Sequence, residues 1–89
     1  MSEAEILAAL KVDLGITATA YDDRLTQYIQ SAKTAIEHEG AQLDMGEIDH
    51  VQLVVMYAGW LWRKRDTGEG MPRMVRYALN NLIIHQHLQ

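Results

Sequence analysis

The sequence predicts an all-α protein: a small bundle of three to four helices in one domain covering residues 1–89. Three observations carry that prediction. Apolar residues recur at three- and four-residue spacings along most of the chain. Capping residues and glycines bracket those stretches. No stretch alternates with the period of two that marks a strand, and a single Pro with six Gly leaves room for long helices.

Ser2 followed by Glu5 forms an S-x-x-E capping box, which satisfies two otherwise unpaired N–H groups and opens a short helix through Ile6, Leu7 and Leu10. Ile6, Leu10 and Leu14 lie four apart and make a narrow stripe about three turns long. Gly15 ends this helix or the turn after it. The linker GITATAY, Gly15 to Tyr21, holds small and β-branched residues and is expected to run extended. It reaches Asp22 and Asp23, whose carboxylates suit a helix N-terminus. A second helix from Asp22 to Glu39 places Leu25, Tyr28, Ile29, Ala32, Ala35 and Ile36 on one face. Gly40 then suits the left-handed conformation that closes a helix, and Ala32 and Ala35 permit another helix to approach closely. The loop Ala41 to Gly46 is short enough to make the second and third helices antiparallel neighbours.

The third helix, Glu47 to Arg65, is apolar on nearly every side. Asp44 and Glu47 read as its N-cap and capping-box partner, and Arg63, Lys64 and Arg65 sit where a helix C-terminus carries partial negative charge. Ile48, Val51, Val55, Ala58, Gly59 and Trp62 share one arc; Leu53, Met56, Tyr57 and Trp60 share the other. Two apolar faces need two sets of partners. The helix is therefore either the buried centre of the domain or a wall shared between subunits. Trp62 is assigned to the domain's own core and Trp60, with Leu53, Met56 and Tyr57, to an interface, where aromatic and Met side chains are enriched. The alternative is that the first and fourth helices cover the second face.

The stretch DTGEG, Asp66 to Gly70, is a turn, and Pro72 stands at the first position of a fourth helix with an apolar stripe of Val75, Leu79, Leu82 and Ile83. The end, HQHLQ, carries no stop signal and is read as a frayed end or a mobile C-terminal arm.

Composition narrows the function. Cysteine is absent, which excludes disulfides and thiolate metal sites. No apolar run approaches the roughly 18 residues of a membrane span, and MSEAEI is acidic where a signal peptide is basic, so a soluble, intracellular protein with no membrane partner is expected. Net charge is −4, unevenly placed: residues 1–50 hold three Lys/Arg against ten Asp/Glu, residues 51–89 five against two. Such a split either orients identical subunits acidic half on basic half or is simply solvated helix surface.

No catalytic, cofactor or metal site is legible. His85 and His87 are two apart, which splays them on a helix, and no third ligand stands at metal-site spacing. His38 suits a helix C-terminus, and His50 reads as exposed. Asp22-Asp23 and Glu37-x-Glu39 fall at helix ends, where capping accounts for them. There is no nucleophile with a paired base and no phosphate-cradling glycine loop, so an enzyme is not expected. Arg63, Lys64, Arg65, Arg73 and Arg76 straddle one turn and suggest a phosphate-binding footprint with Trp60 beside it, but a pI near 5.4 is low for an autonomous nucleic-acid binder. The same cations suit carboxylates on an adjacent subunit.

The layout LAALKVDLGI, DDRLTQYIQSAKTAIEHEG, DHVQLVVMYAGWLWRKR and MPRMVRYALNNLI resembles the small head-tail connector, or adaptor, proteins of tailed bacteriophages and prophages over nearly the whole chain. The segments AKTAIEHEG, YAGWLWRKR and MPRMVRYALNN carry most of the likeness. The resemblance implies a non-enzymatic virion protein at the head–tail junction, assembled in the host cytoplasm. Such subunits form a homo-oligomeric ring under the portal protein, extend the channel through which DNA passes without sequence-specific binding, and dock the next connector or tail protein. Carried to this chain, it implies subunit or portal contacts at Tyr57, Trp60, Arg63, Arg65, Arg73 and Arg76, with Leu53 and Met56 added by the interface face assigned above, and no cofactor. The alternative function is a small helical DNA-binding or regulatory module using Arg63 to Arg76.

Overall fold

A computed structural model describes residues 1–88, leaving Gln89, the last residue of the expected arm, outside the described residues. The chain forms α1 (Glu3–Leu14), a 3₁₀ turn (Thr19–Tyr21), α2 (Asp22–His38), α3 (Ile48–Thr67) and α4 (Arg73–His87). The fold is all-α, as the periodicity requires.

Local signals set most helix ends. Ser2 Oγ accepts from the Glu5 amide at 3.2 Å and a Glu5 carboxylate oxygen accepts from the Ser2 amide at 3.0 Å, the complete capping box. Gly15 and Gly68 close α1 and α3 with φ of 70° and 67°, a conformation an L side chain resists. Four expectations need correction. The linker before α2 is not wholly extended, because Thr19–Tyr21 winds into a 3₁₀ turn. Asp44 and Glu47 do not form a capping box. The Asp44 carboxylate accepts from Gly46 N at 2.9 Å, turning the loop on itself, and no side chain caps α3. α3 does not end at Arg65 but runs two residues further, until Gly68 takes the left-handed conformation. Pro72 precedes the first residue of α4, and its carbonyl accepts from Val75 and Arg76.

The tail is part of the fold as far as it is described. It continues α4 through His87, and Gln86 clips it to the α2–α3 loop by accepting from Gln42 N at 2.9 Å and donating to Gln42 O at 2.7 Å. Satisfying both groups of one backbone unit costs that side chain its freedom but removes two unpaired polar groups from the loop.

α3 is the axis of the molecule, with α1, α2 and α4 all packing on it. Ile6 and Leu10 of α1, Leu25, Ile29, Ala32 and Ile36 of α2, and Val75 and Leu79 of α4 close over Val51, Val54, Val55 and Ala58. Gly59 faces α1: a Cβ there would stand 3.8 Å from Leu10 and 3.9 Å from Leu14, with Arg63 Nη1 of its own helix at 3.4 Å. Ion pairs Lys11–Asp22 and Lys33–Glu3, each 2.7 Å, fasten α1 to the start and middle of α2. The hydrogen bond from Lys33, opposed by slight desolvation, holds the Glu3 carboxyl below its ordinary range. With extents of 42 × 29 × 18 Å, the molecule is a slab little more than one helix pair thick, so some apolar surface has nowhere inside to go.

Candidate functional site

α3 has the all-round apolar surface expected of it, but Trp60 is the more deeply buried of its two tryptophans, and Trp62 packs half-buried against the edge of the core. Ile48, expected in the core arc, is the first residue of α3 and is 59% exposed. Trp60, expected to anchor an interface, is only 8% exposed. Its Nε1 donates to the Glu69 carbonyl at 3.1 Å, its ring meets Tyr57 edge-on at 5.4 Å between centroids, and Lys64 Nζ lies 4.6 Å over it. The cause is the α3–α4 loop, which folds back along α3: Arg63 Nε reaches Glu69 at 3.3 Å on the same turn. Leu53 and Tyr57 are buried on the same side, so three of the four apolar residues expected at an interface are interior. Burial raises the Tyr57 phenol above its ordinary pKa; the nearby Glu39 carboxylate adds to this and the Arg76 guanidinium opposes it. Trp62, assigned to the core, is instead half-buried and stands edge-on to Tyr21 at 5.6 Å and Tyr28 at 5.8 Å, with the Arg65 guanidinium 3.8 Å over its ring.

Met56 remains half-exposed. It lies at the junction of two open grooves along α3. One, of about 930 Å³, runs between the first half of α3 and the second half of α4 and is lined by Gln52, Leu53, Met56, Ala78, Asn81 and Leu82. The other, of about 220 Å³, is bordered by Asp13, Gly59, Arg63 and Met74. Both grooves are open to solvent and lined by a mixture of polar and apolar side chains.

The five cations do not form one free patch. Arg63 pairs with Glu69, Arg65 lies 3.9 Å from Asp66, and Arg76 donates to both carboxylate oxygens of Glu39 at 3.1 and 3.2 Å, joining α4 to the end of α2. Lys64 and Arg65 lie over different tryptophans. Arg73 alone of the five has neither a carboxylate nor an aromatic partner among the described residues.

Sequence reasoning missed a second stripe on α4. Met74, Tyr77 and Ile84 are 71%, 65% and 57% exposed, and Leu88, which caps the helix, is 80% exposed. With Asn81 they recur at steps of three and four along the outward side, while Val75 and Leu79 occupy the inward side. The signal was present in the spacing, but two apolar stripes on one helix look alike until the core shows which is inside. His85 and His87 are exposed on the last turns of α4, and no group of three His, Cys, Asp or Glu among the described residues is placed to hold a metal ion. No helix among them is long and apolar enough to cross a membrane.

Searches against curated proteins and against solved structures return no significant match. The family model described as phage gp6-like head-tail connector protein matches residues 5–89, from the capping-box glutamate of α1 through the whole of α4. That match spans all four helices and agrees with the all-α architecture, and the chain belongs to the phage gp6-like head-tail connector family.

Proposed function

We propose that the protein acts as a connector subunit in a homo-oligomeric ring under the portal, extending the DNA channel and presenting a docking surface to the next connector or tail protein. The observation that carries this reading is the family match over residues 5–89. Physical support comes from the slab shape, the unspent apolar surface and the uneven charge. In a ring each subunit presents different surfaces to its two neighbours, and a charge split between the halves of the chain suits such a contact. Arg63, Arg65, Arg73 and Arg76 are the proposed polar contacts with neighbouring subunits or portal, and Met56 the proposed apolar one. Tyr57 and Trp60, being buried, act by holding the end of α3 that displays Arg63 and Arg65, and Leu53 acts by seating the first half of α3 in the core. Exposed carboxylates such as Glu37, Asp44, Glu47 and Asp49 suit a channel wall along which DNA slides without adhering.

The competing reading, a DNA-binding module using Arg63 to Arg76, is weakened because three of those cations already have carboxylates beside them. Native mass spectrometry over a concentration series, with the protein alone and with a portal ring added, tests the connector reading. A closed oligomer of about a dozen copies in either sample supports it. Absence of any closed assembly in both, together with DNA affinity that falls steeply with salt, overturns it in favour of DNA binding.

A further inference from the structure

We propose that the outward face of α4 is a self-association surface, on which a second copy of the chain lays its own α4 antiparallel across a two-fold axis. This goes beyond the ring reading, because a two-fold contact closes on itself and is complete with two copies, whereas a ring needs two different surfaces per subunit.

The row Met74, Tyr77, Asn81, Ile84 and Leu88 follows the three–four spacing that aligns a seam between two helices. Four of its members are among the eight large apolar side chains that the fold leaves exposed. The other four, Met1, Val12, Tyr21 and Ile48, belong to different elements. No other single helix face therefore offers this row as much apolar area as an identical row does.

Charge sets the direction. α4 carries no carboxylate. Its N-terminal end bears Arg73, which has neither a carboxylate nor an aromatic partner among the described residues, so a parallel pairing would place two Arg73 side chains together. At the other end, Ile84 and Leu88 border the groove that Glu47 and Asp49 also line. An antiparallel copy brings its Arg73 toward those carboxylates and toward the negative C-terminal end of the facing helix, and the symmetry repeats the contact at the opposite end. The register that pairs Tyr77 with Leu88 and Asn81 with Ile84 of the second copy keeps those four row members in contact and lets Arg73 and Met74 overhang the C-terminal end of the facing helix. Asn81 in the middle lowers affinity while penalising slipped registers, since shifting the pairing buries its amide elsewhere. A row of 15 helical residues is about 22 Å long and is smaller than the roughly 800 Å² per partner of a standard interface, so the association is weak and concentration-dependent.

The chain has no cysteine, so single cysteines report cleanly. Tyr77→Cys and Leu88→Cys variants, both at exposed positions, are mixed and oxidised at high concentration. The expected product is the mixed Tyr77→Cys/Leu88→Cys dimer in excess over both self-linked dimers. Self-linked Tyr77→Cys as the main product, a statistical mixture, or no cross-link at all overturns the proposal. In parallel, sedimentation equilibrium of the unmodified chain is expected to show a monomer–dimer equilibrium that Ile84→Asp weakens by at least about tenfold without lowering the melting temperature. A strictly monomeric chain, or a dimer indifferent to Ile84→Asp, refutes it. A closed ring that persists with Ile84→Asp while no dimer forms would leave the connector reading standing and dispose of this one alone.

Discussion

Trp60→Ala is the substitution on which the packing of α3 stands or falls. The ring is nearly enclosed, its N–H is bonded to the Glu69 carbonyl and its edge-on contact with Tyr57 is 5.4 Å. Truncation removes a large buried ring and leaves a cavity under the α3–α4 loop, a change that costs about 3–5 kcal/mol in comparable cores. Within that, the hydrogen bond accounts for about 1 kcal/mol and the aromatic pair for about 0.5–1.5 kcal/mol. A chain of 89 residues has a total stability of roughly 5–13 kcal/mol, so the loss is a large fraction of it. At about 4–8 °C per kcal/mol, Tm falls by roughly 12–40 °C. Thermal and urea unfolding followed by far-UV circular dichroism, at a concentration where the protein is monomeric, measures this. Trp62→Ala, which removes a half-buried ring from the Tyr21–Tyr28 cluster, is expected to cost less. A Trp60→Ala variant melting within about 5 °C of the parent, or one more stable than Trp62→Ala, would refute the burial argument and return Trp60 to the surface.

Gly59→Ala is expected to stabilise the protein by about 0.5–1 kcal/mol, because the helix interior gains a better former and the new methyl finds ordinary contact distances to Leu10 and Leu14. A lower urea midpoint would mean that α1 already sits too close. Tyr57→Phe tests the raised phenol pKa. A group whose acid form is favoured by folding contributes fully below its unfolded pKa, about 10, and loses that contribution as pH rises through the higher folded value. The variant should match the parent near neutrality and lose less stability above about pH 10, and identical alkaline melting curves would contradict this. Gln86→Ala removes both hydrogen bonds to Gln42. Amide exchange at residues 42–44 and in the last turn of α4 should accelerate while the rest of the chain is unchanged; unaltered exchange there would show that the clip does not hold the tail.

The family and its layout were legible because they are written in local features. Ser2 with Glu5, Gly15 and the periodic face of α2 each specify their element through neighbours three or four residues away, and no distant contact is needed to read them. Where a local signal had two uses, the reading failed. Asp44 is as good a turn residue as a helix cap, and only the path of the loop, with Asp44 N donating to His50 Nδ1 at 2.9 Å, shows which use it has.

Sequence alone thus determined that three to four helices form, where most of them begin and end, and that α3 is too apolar to face solvent. It could not determine which side of α3 faces which neighbour. Trp60 and Trp62 are both large, both on apolar arcs and two residues apart, so hydropathy and periodicity treat them alike. The choice was made by the α3–α4 loop, which supplies a carbonyl for the Trp60 N–H and leaves Trp62 to two tyrosines and an arginine. The same holds for α4, where two apolar stripes are available and a slab 18 Å thick has room to bury only one. Burial is a property of the assembled helices rather than of any one of them, and the face left outside was therefore decided by tertiary packing.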